Sequence, residues 1–202
     1  GIYHCLDDPK QFIECLLDNL ESDRLEIDFI QFADQGFEQV ENRLMNLHLI
    51  RSWCTRSVMF DASGQSQVPA SVLRKKPIMV IRGSFKPPTK VHVDMFESGL
   101  REFAKLPDIE AEKIVSLAEI TMRELGGESD DADSDFLTRV DLLNSLGYNV
   151  LVSDYFRFFR LRSWLRRYSK APIGIALSVM NFDTLFNPQF YEGLDGGILE
   201  AM

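Results

Sequence analysis

Cysteine is scarce in this chain of 202 residues. The three cysteines, Cys5, Cys15 and Cys54, are odd in number and none stands in a CxxC pair. That pattern argues against a disulfide framework and against a zinc site, so no metal ligands are predicted. Since an odd set of unpaired thiols suits a reducing environment, we expect buried free thiols in the cytoplasm or another reducing compartment.

Long apolar runs are also missing. No run approaches the roughly 20 apolar residues that a membrane helix needs, so no membrane span is predicted. The first residues contain no basic segment followed by an apolar one, and no secretory signal is expected. Because the chain begins at Gly1 instead of Met, we expect that it was processed or that it is a fragment of a longer protein.

Positive charge is in short supply. The chain has 22 Lys and Arg against 31 Asp and Glu, which gives a net charge of −9. Because duplex nucleic acid is bound mainly through its phosphates, this balance predicts no duplex partner.

One segment is nevertheless rich in arginine. Residues 157–170 carry six basic side chains, and a helix there would place Phe158, Leu161 and Leu165 on one apolar stripe with the arginines around it. Arginine forks suit phosphate or carboxylate, including the acidic loop Glu128–Asp135 on this chain or on a partner. The Arg157–Lys170 helix is therefore a predicted surface for a protein partner, and a solvated helix face is the simpler reading.

Apolar segments with strand and helix spacing alternate along the chain. Strands are predicted at 25–32, 57–60, 78–81, 113–120, 149–153 and 172–179. Helices are predicted at 9–20, about 37–53, 90–105, 135–147, 156–168 and around 182–192. Such alternation predicts an α/β fold, a doubly wound, mainly parallel sheet with helices on both faces (Rossmann-like). We expect a single domain over 1–202, and a helical N-terminal subregion over 1–75 is the second choice.

Polar residues follow several of the predicted strands. In open α/β sheets ligands sit outside the carboxyl ends of the strands. Each of these residues alone also suits a turn or a helix cap. The candidates are Asp34, Asp61, Gly83-Ser84, Glu119, Ser153-Asp154 and Asn181.

The most informative loop follows the strand at 78–81. It reads Gly83-Ser84-Phe85-Lys86-Pro87-Pro88-Thr89-Lys90-Val91-His92. A strand, a turn and a helix start in this order form a natural phosphate site, because the first N–H groups of a helix have no partner within it. Thr89 and His92 lie on one face, and two lysines add charge. The alternative is a rigid turn in which Thr89 caps the helix and His92 packs in the core.

This loop resembles the signature of the HIGH-type nucleotidyltransferases, the superfamily of nicotinate-nucleotide and phosphopantetheine adenylyltransferases. Their motif reads Gly-Ser/Thr-Phe-Asp-Pro-x-Thr/His-x-Gly-His, with Lys86 standing here for the Asp and Val91 for the second Gly. The resemblance implies that Thr89 and His92 contact the phosphates of ATP and stabilise the transition state, usually with Mg²⁺. The residues of the implied nucleotide site are Gly83, Ser84, Phe85, Lys86 and Lys90.

A longer stretch resembles a bacterial family of unknown function that has been labelled both nicotinate-nucleotide adenylyltransferase and TonB-dependent receptor. The similar segments are Arg24–Phe32, Asn42–Leu49, Val58–Asp61, Lys75–Phe85, Asp135–Gly147 and Arg166–Glu200. We therefore expect a nucleotide-binding α/β domain that transfers an adenylyl group from ATP. The alternative is a catalytically silent structural or assembly subunit of a larger complex.

Overall fold

Strands and helices alternate through the computed structural model, which describes residues 5, 8–17, 20, 24–33, 35–179, 185–192 and 197–201. The strands are β1 (Ser57–Phe60), β2 (Ser66–Gln67), β3 (Ile78–Arg82), β4 (Val115–Thr121), β5 (Asn149–Ser153) and β6 (Ile173–Ala176). The helices are α1 (Pro9–Cys15), α2 (Asn42–Arg51), α3 (Pro69–Leu73), α4 (Lys90–Phe103), α5 (Asp130–Ser145) and α6 (Phe158–Tyr168). Short 3₁₀ turns occur at Ala111–Lys113, Met122–Glu124 and Pro188–Tyr191, and a short helix at Gly197–Ala201.

The six strands form one sheet in the order β2-β1-β5-β4-β3-β6. The neighbours β5, β4, β3 and β6 run parallel, with Ile81 opposite both Ala118 of β4 and Ala176 of β6. β1 pairs antiparallel with β5, and β2 pairs antiparallel with β1. The predicted α/β class with a mainly parallel, Rossmann-like sheet is confirmed.

Helices cover both faces of the sheet. Alternate residues of β3 point to opposite sides, so Met79 and Ile81 pack with α2, α4 and α5, whereas Ile78 and Val80 pack with α3 and α6. Burial on both sides explains why β3 and β5 read as continuous apolar runs. The part of the chain before residue 75 contributes α2 and α3 to the two covering layers and β1 and β2 to the sheet edge.

The prediction of a strand at 25–32 was wrong. Residues 24–33 have no strand pairing, and the backbone of Ile30 and Phe32 is hydrogen-bonded by side chains instead. The side-chain amide of Asn46 accepts from the N–H of Ile30 and donates to its carbonyl, and Asn42 does the same for Phe32. These two asparagines lie on α2 and replace the neighbouring strand that the alternating pattern led us to expect.

The N-terminal segment packs on α2. Ile13, Met45, Leu49 and Cys54 form a small apolar cluster there, and α1 ends at Cys15 instead of continuing to residue 20. The sulfurs of Cys5 and Cys15, which the spacing did not pair, lie 2.6 Å apart as free thiols. No helix among the described residues has the length and apolar character needed to cross a membrane.

Asp61 forms the turn between β1 and β2. Its carboxylate accepts from the N–H of Ser63 at 2.8 Å, the N–H of Gln65 at 3.1 Å and the side chain of Gln67 at 2.6 Å. Burial acts to raise the pKa of Asp61, but these hydrogen bonds outweigh it and hold the pKa below the ordinary 3.8. The residue is therefore a turn former, as the simpler reading of this position proposed.

This turn predicts a pH dependence of stability. Because the pKa of Asp61 is lower in the folded state, its contribution is present above about pH 4 and lost as the pH falls through the folded pKa. Asp61→Asn should therefore flatten the loss of unfolding free energy between about pH 5 and about pH 3, measured by urea unfolding. An unchanged slope in the variant would show that Asp61 does not contribute.

Candidate functional site

The loop between β3 and α4 leaves the sheet at the point where its strand order reverses. β4 and β5 follow β3 on one side, and β6 lies on the other. In open α/β sheets ligands bind at the carboxyl ends of strands at such a reversal. The loop over residues 83–89 thus occupies the position that a ligand site has in this architecture. Of the chain that follows β6, residues 177–179 are described and 180–184 are not.

Gly83 and Phe85 shape the first half of this loop. The N–H of Gly83 extends the β3–β4 ladder by donating to the carbonyl of Glu119 at 3.1 Å. A Cβ at position 83 would lie 3.1 Å from the ring of Phe85, which is a tight contact. Phe85 itself has a φ of 50° and is only 1% exposed. Its side chain was predicted to bind nucleotide, but it lies in the core and supports the ring of His92, with ring centroids 5.2 Å apart.

Thr89 and His92 face each other at the start of α4. The N–H of Thr89 donates to Nδ1 of His92 at 3.1 Å, and the Thr89 hydroxyl lies 2.8 Å from the same nitrogen. Because a backbone N–H can only donate, Nδ1 is an acceptor and the proton of the neutral ring is on Nε2. That Nε2–H has no partner among the described residues. The predicted pair therefore shares one side of the helix start and offers a free donor.

The two lysines of the loop differ in their surroundings. Lys86 Nζ lies 3.4 Å from Asp135 of α5, and the Lys86 side chain is 53% exposed. An exposed ion pair of this kind contributes on the order of 1 kcal/mol or less, so an anion can compete for Lys86. Lys90 is the first residue of α4, is exposed and has no carboxylate partner in the described part of the chain.

Arg139 of α5 fixes the β3–α4 loop through hydrogen bonds to backbone carbonyls. It is 2% exposed and donates to the carbonyls of Ser84 at 3.0 Å and Glu124 at 2.9 Å. Its guanidinium also pairs with Asp135, while its Nε has no partner among the described residues. Sequence reasoning missed this residue. The only signal was Asp135 four residues earlier, and such spacing is common on solvated helix faces.

A buried ion pair joins the ends of β3 and β4. Arg82 and Glu119 lie opposite each other, with Nε to Oε2 at 2.6 Å and Nη2 to Oε1 at 2.8 Å. The hydroxyl of Ser153 donates to Oε1 of Glu119 at 2.6 Å, and Glu119 has no exposed surface. Glu119 and Ser153 were predicted strand-end candidates, and the structure brings them together. Arg82 was missed because nothing in the sequence gives the register of two strands.

Arg82 also connects this pair to the start of α6. It donates to the carbonyls of Tyr155 and Phe156 at 2.6 Å each, and its guanidinium lies 4.4 Å from the centre of the Phe158 ring. Beside it, a cleft of about 290 Å³ runs from the β3–α4 loop toward α6. Its lining includes Arg82, Gly83, Ser84, Thr121, Phe156 and Phe158. This volume is at the lower end of small-molecule sites.

The structure describes two of the other strand-end candidates, Asp61 and Asp154. Phe60, next to Asp61, pairs with Val150 near the beginning of β5. Asp61 therefore lies near the amino ends of the parallel strands, at the opposite end of the sheet from the candidate site. Asp154 is paired with Arg56 at 2.7 Å. Asp34 and Asn181 lie outside the described residues.

The acidic segment Glu128–Asp135 and the arginine-rich helix do not meet. From Asp130 onward this segment is the start of α5, so the loop predicted there was wrong over most of its length. Within the described chain, Glu128 pairs with Lys10, Asp133 with Arg51, and Asp135 with both Lys86 and Arg139. Among the arginines of α6, Arg166 donates to the carbonyl of Ala171 and Arg167 pairs with Glu26 at 2.8 Å. The internal pairing considered for these two segments is therefore wrong, and a protein partner for the helix stays a prediction.

A metal site was not predicted. In the described part of the chain, no group of three or more His, Cys, Asp or Glu side chains is placed to hold a metal ion. Asp135, the carboxylate beside the loop, is already neutralised by Arg139 and Lys86. The residues present therefore fit phosphate oxygens, and they fit Mg²⁺ only as an ion carried by the phosphates themselves.

Comparisons with protein-family models, with curated proteins and with solved structures found no match for this chain. The likeness to nucleotidyltransferases therefore rests on the residues of the β3–α4 loop, and ATP with Mg²⁺ as its ligand stays a prediction.

Proposed function

We propose that this domain binds the phosphate groups of a nucleoside triphosphate at the start of α4 and transfers the adenylyl group of ATP. The observation that supports this proposal is the Thr89–His92 pair at the sheet's strand-order reversal, whose Nε2–H has no partner in the part of the chain that the structure describes. Phosphate is the ligand that such a helix start favours.

The electrostatics of the helix start agree with a phosphate ligand. α4 has 14 residues, and the N–H groups of Lys90 and Val91 lie in its first turn, where no acceptor exists within the helix. The helix dipole adds a partial positive charge at this end. Lys90 stands there without a carboxylate partner in the described chain, and Lys86 is held only by an exposed ion pair.

The roles of the side chains follow from their donors. The His92 Nε2–H would donate to a phosphate oxygen, while the Thr89 hydroxyl donates its one proton to Nδ1 and holds the ring in position. The two lysines would balance the phosphate charge. ATP supplies the electrophilic phosphorus and the pyrophosphate leaving group. In this scheme no protein nucleophile is needed, because the residues position the phosphates and stabilise the charge that grows in the transition state. Removing one such donor costs about 2.7–4 kcal/mol of transition-state stabilisation in other enzymes.

Thermal unfolding with and without Mg-ATP tests the proposal. A ligand at about 100 times its Kd stabilises the folded state by about 2.7 kcal/mol, which for a chain of this size raises the Tm by about 5–10 °C. His92→Ala should weaken binding about 10- to 100-fold, since it removes a hydrogen bond to a charged group. Arg101→Ala is the matched control, because Arg101 lies in the last turn of the same helix and bonds only Ser98.

The outcomes separate the two functions. A Tm shift that is kept in the Arg101 variant and falls by about half or more in the His92 variant supports the nucleotide site. An equal shift in both variants would place ATP elsewhere on the molecule. No shift at millimolar Mg-ATP would favour the second candidate, a catalytically silent assembly subunit.

One observation favours that second candidate. Val91 stands where the nucleotidyltransferase motif has glycine, and its side chain is 72% exposed at the helix start. A β-branched side chain at this place restricts the approach of a nucleotide to the first N–H groups. Exposed apolar side chains of this size also suit a contact with another protein.

A further inference from the structure

A second cleft, rich in arginine, also lies at the carboxyl ends of the parallel strands. It has a volume of about 780 Å³ and lies between the end of β5, the turn after β4 and the start of α6. We call it the arginine cleft, and its lining includes Arg56, Arg123, Arg157, Arg160, Phe156 and Phe190. We propose that the arginine cleft binds a small organic molecule that carries at least two negative charges as phosphate or carboxylate.

The charge of this cleft contrasts with that of the chain. Among the described residues, four arginines and two carboxylates line it, in a protein whose net charge is −9. Arg56 is paired with Asp154 at 2.7 Å. Arg123, Arg157 and Arg160 have no carboxylate partner among the described residues. Three unneutralised guanidinium groups in one concave surface repel one another, and an anion with several charges relieves that repulsion.

Aromatic rings hold these guanidinium groups in place. Arg123 lies 3.8 Å from the centre of the Phe156 ring, and Arg160 lies 5.8 Å from that of Phe159. Arg157 lies 5.9 Å from the centre of the Phe190 ring and donates to the Phe190 carbonyl. A guanidinium held by a ring face keeps the N–H groups at its edge available for a bidentate contact with an oxyanion. The rings also offer flat apolar contact to the carbon skeleton of a ligand.

The backbone favours an anion at the same place. α6 has 11 residues, and its N-cap residue is Arg157, which provides no side-chain acceptor for the first N–H groups. Asp154 directly follows β5, so the cleft lies outside the carboxyl ends of the parallel strands. It is separate from the start of α4, although Phe156 lines both this cleft and the smaller one beside the β3–α4 loop.

The size of the cleft favours a small molecule over a macromolecule. Its volume is within the range of about 300–1,000 Å³ that is typical of metabolite and cofactor sites. Duplex nucleic acid would meet the negative charge of the rest of the chain. Phosphate and carboxylate are the two sources of the required charge, and a guanidinium fork accepts either one.

Isothermal titration calorimetry with two probes tests the proposal. Pyrophosphate and citrate are titrated separately into the protein in a buffer free of both, together with the variants Arg123→Gln and Arg160→Gln. Arg74→Gln is the control, since it makes the same charge change at an exposed position. Arg74 precedes β3 and so lies at the amino ends of the parallel strands, away from the cleft. His92→Ala separates this cleft from the start of α4.

We expect saturable binding of at least one probe. The Kd should be about tenfold higher in the Arg123 and Arg160 variants, because each loses one charged contact. It should be unchanged in the Arg74 and His92 variants. The tighter of the two probes identifies phosphate or carboxylate as the natural group. The Arg160 side chain is exposed, and within the described part of the chain it contacts only a ring face. Its variant should therefore retain the fold even if the Arg123 variant does not.

Four results would overturn the proposal. They are the absence of saturable binding of either probe, equal weakening in the Arg74 variant, loss of binding in the His92 variant alone, and binding of a polyglutamate peptide when neither probe binds. The last result would identify the cleft as a protein-binding surface. Because the wild type and the His92 variant are compared directly, failure here is distinct from failure of the nucleotide site.

Discussion

Glu119→Ala should destabilise the fold by about 3–5 kcal/mol, the cost of leaving one partner of a buried ion pair without the other. Glu119 has no exposed surface, and both its oxygens accept hydrogen bonds from Arg82, with Ser153 donating to one of them. The variant leaves the guanidinium of Arg82 largely buried beside an empty space. Urea unfolding of the two proteins measures the difference.

The double variant Arg82→Met, Glu119→Leu is the control for this prediction. Because it removes both charges together, it should be much more stable than the single variant, and replacements of this kind are often neutral. The pair is therefore expected to contribute mainly to the position of the strand ends. A Glu119→Ala protein within about 1 kcal/mol of wild type would show that the pair is not formed as described.

Arg139→Met should also destabilise the fold, by about 1–3 kcal/mol for each acceptor that loses its donor. It removes the donor to the partly buried carbonyls of Ser84 and Glu124, and it leaves Asp135 paired with Lys86 alone. Since Ser84 lies in the β3–α4 loop, the same variant should also weaken the Mg-ATP shift. Unfolding in urea and thermal unfolding with Mg-ATP measure the two effects separately.

Arg101→Met is the matched control for that comparison. Arg101 is exposed on α4 and bonds only the hydroxyl of Ser98, so its loss should change stability by less than about 0.5 kcal/mol. If the Arg139 variant kept both the stability and the nucleotide response of wild type, the loop would not depend on α5 for its shape.

The regular part of the fold could be predicted because its strands are covered on both sides. β3 and β5 are nearly continuous apolar runs, and each helix between them shows one apolar face. Most of these elements changed only at their ends, as in β6, which covers Ile173–Ala176 instead of 172–179. The short elements β2 and α3 were not predicted. The strand predicted at 25–32 is absent because the side chains of Asn42 and Asn46 bond the backbone of Phe32 and Ile30. Alternation of apolar and polar residues alone does not distinguish a side-chain partner from a neighbouring strand.

The candidate site could be predicted only in its local part. Thr89 and His92 are three residues apart, so helix geometry alone brings them together. Arg82 and Glu119 meet because of strand register, and Arg139 reaches Ser84 across 55 residues of chain. The arginine cleft combines the ends of two strands with the start of α6. Contacts of this kind depend on the tertiary structure, which periodicity does not specify.

Backbone amide chemical shifts during an ATP titration test the central claim most directly, because they report on the N–H groups that would receive the phosphates. We predict saturable shifts in Lys90, Val91 and His92 at the start of α4, extending to Gly83 and Ser84, and much smaller shifts when His92 is replaced by alanine. Amides of these residues that stay unmoved at millimolar Mg-ATP, or shifts confined to other parts of the molecule, would contradict the account.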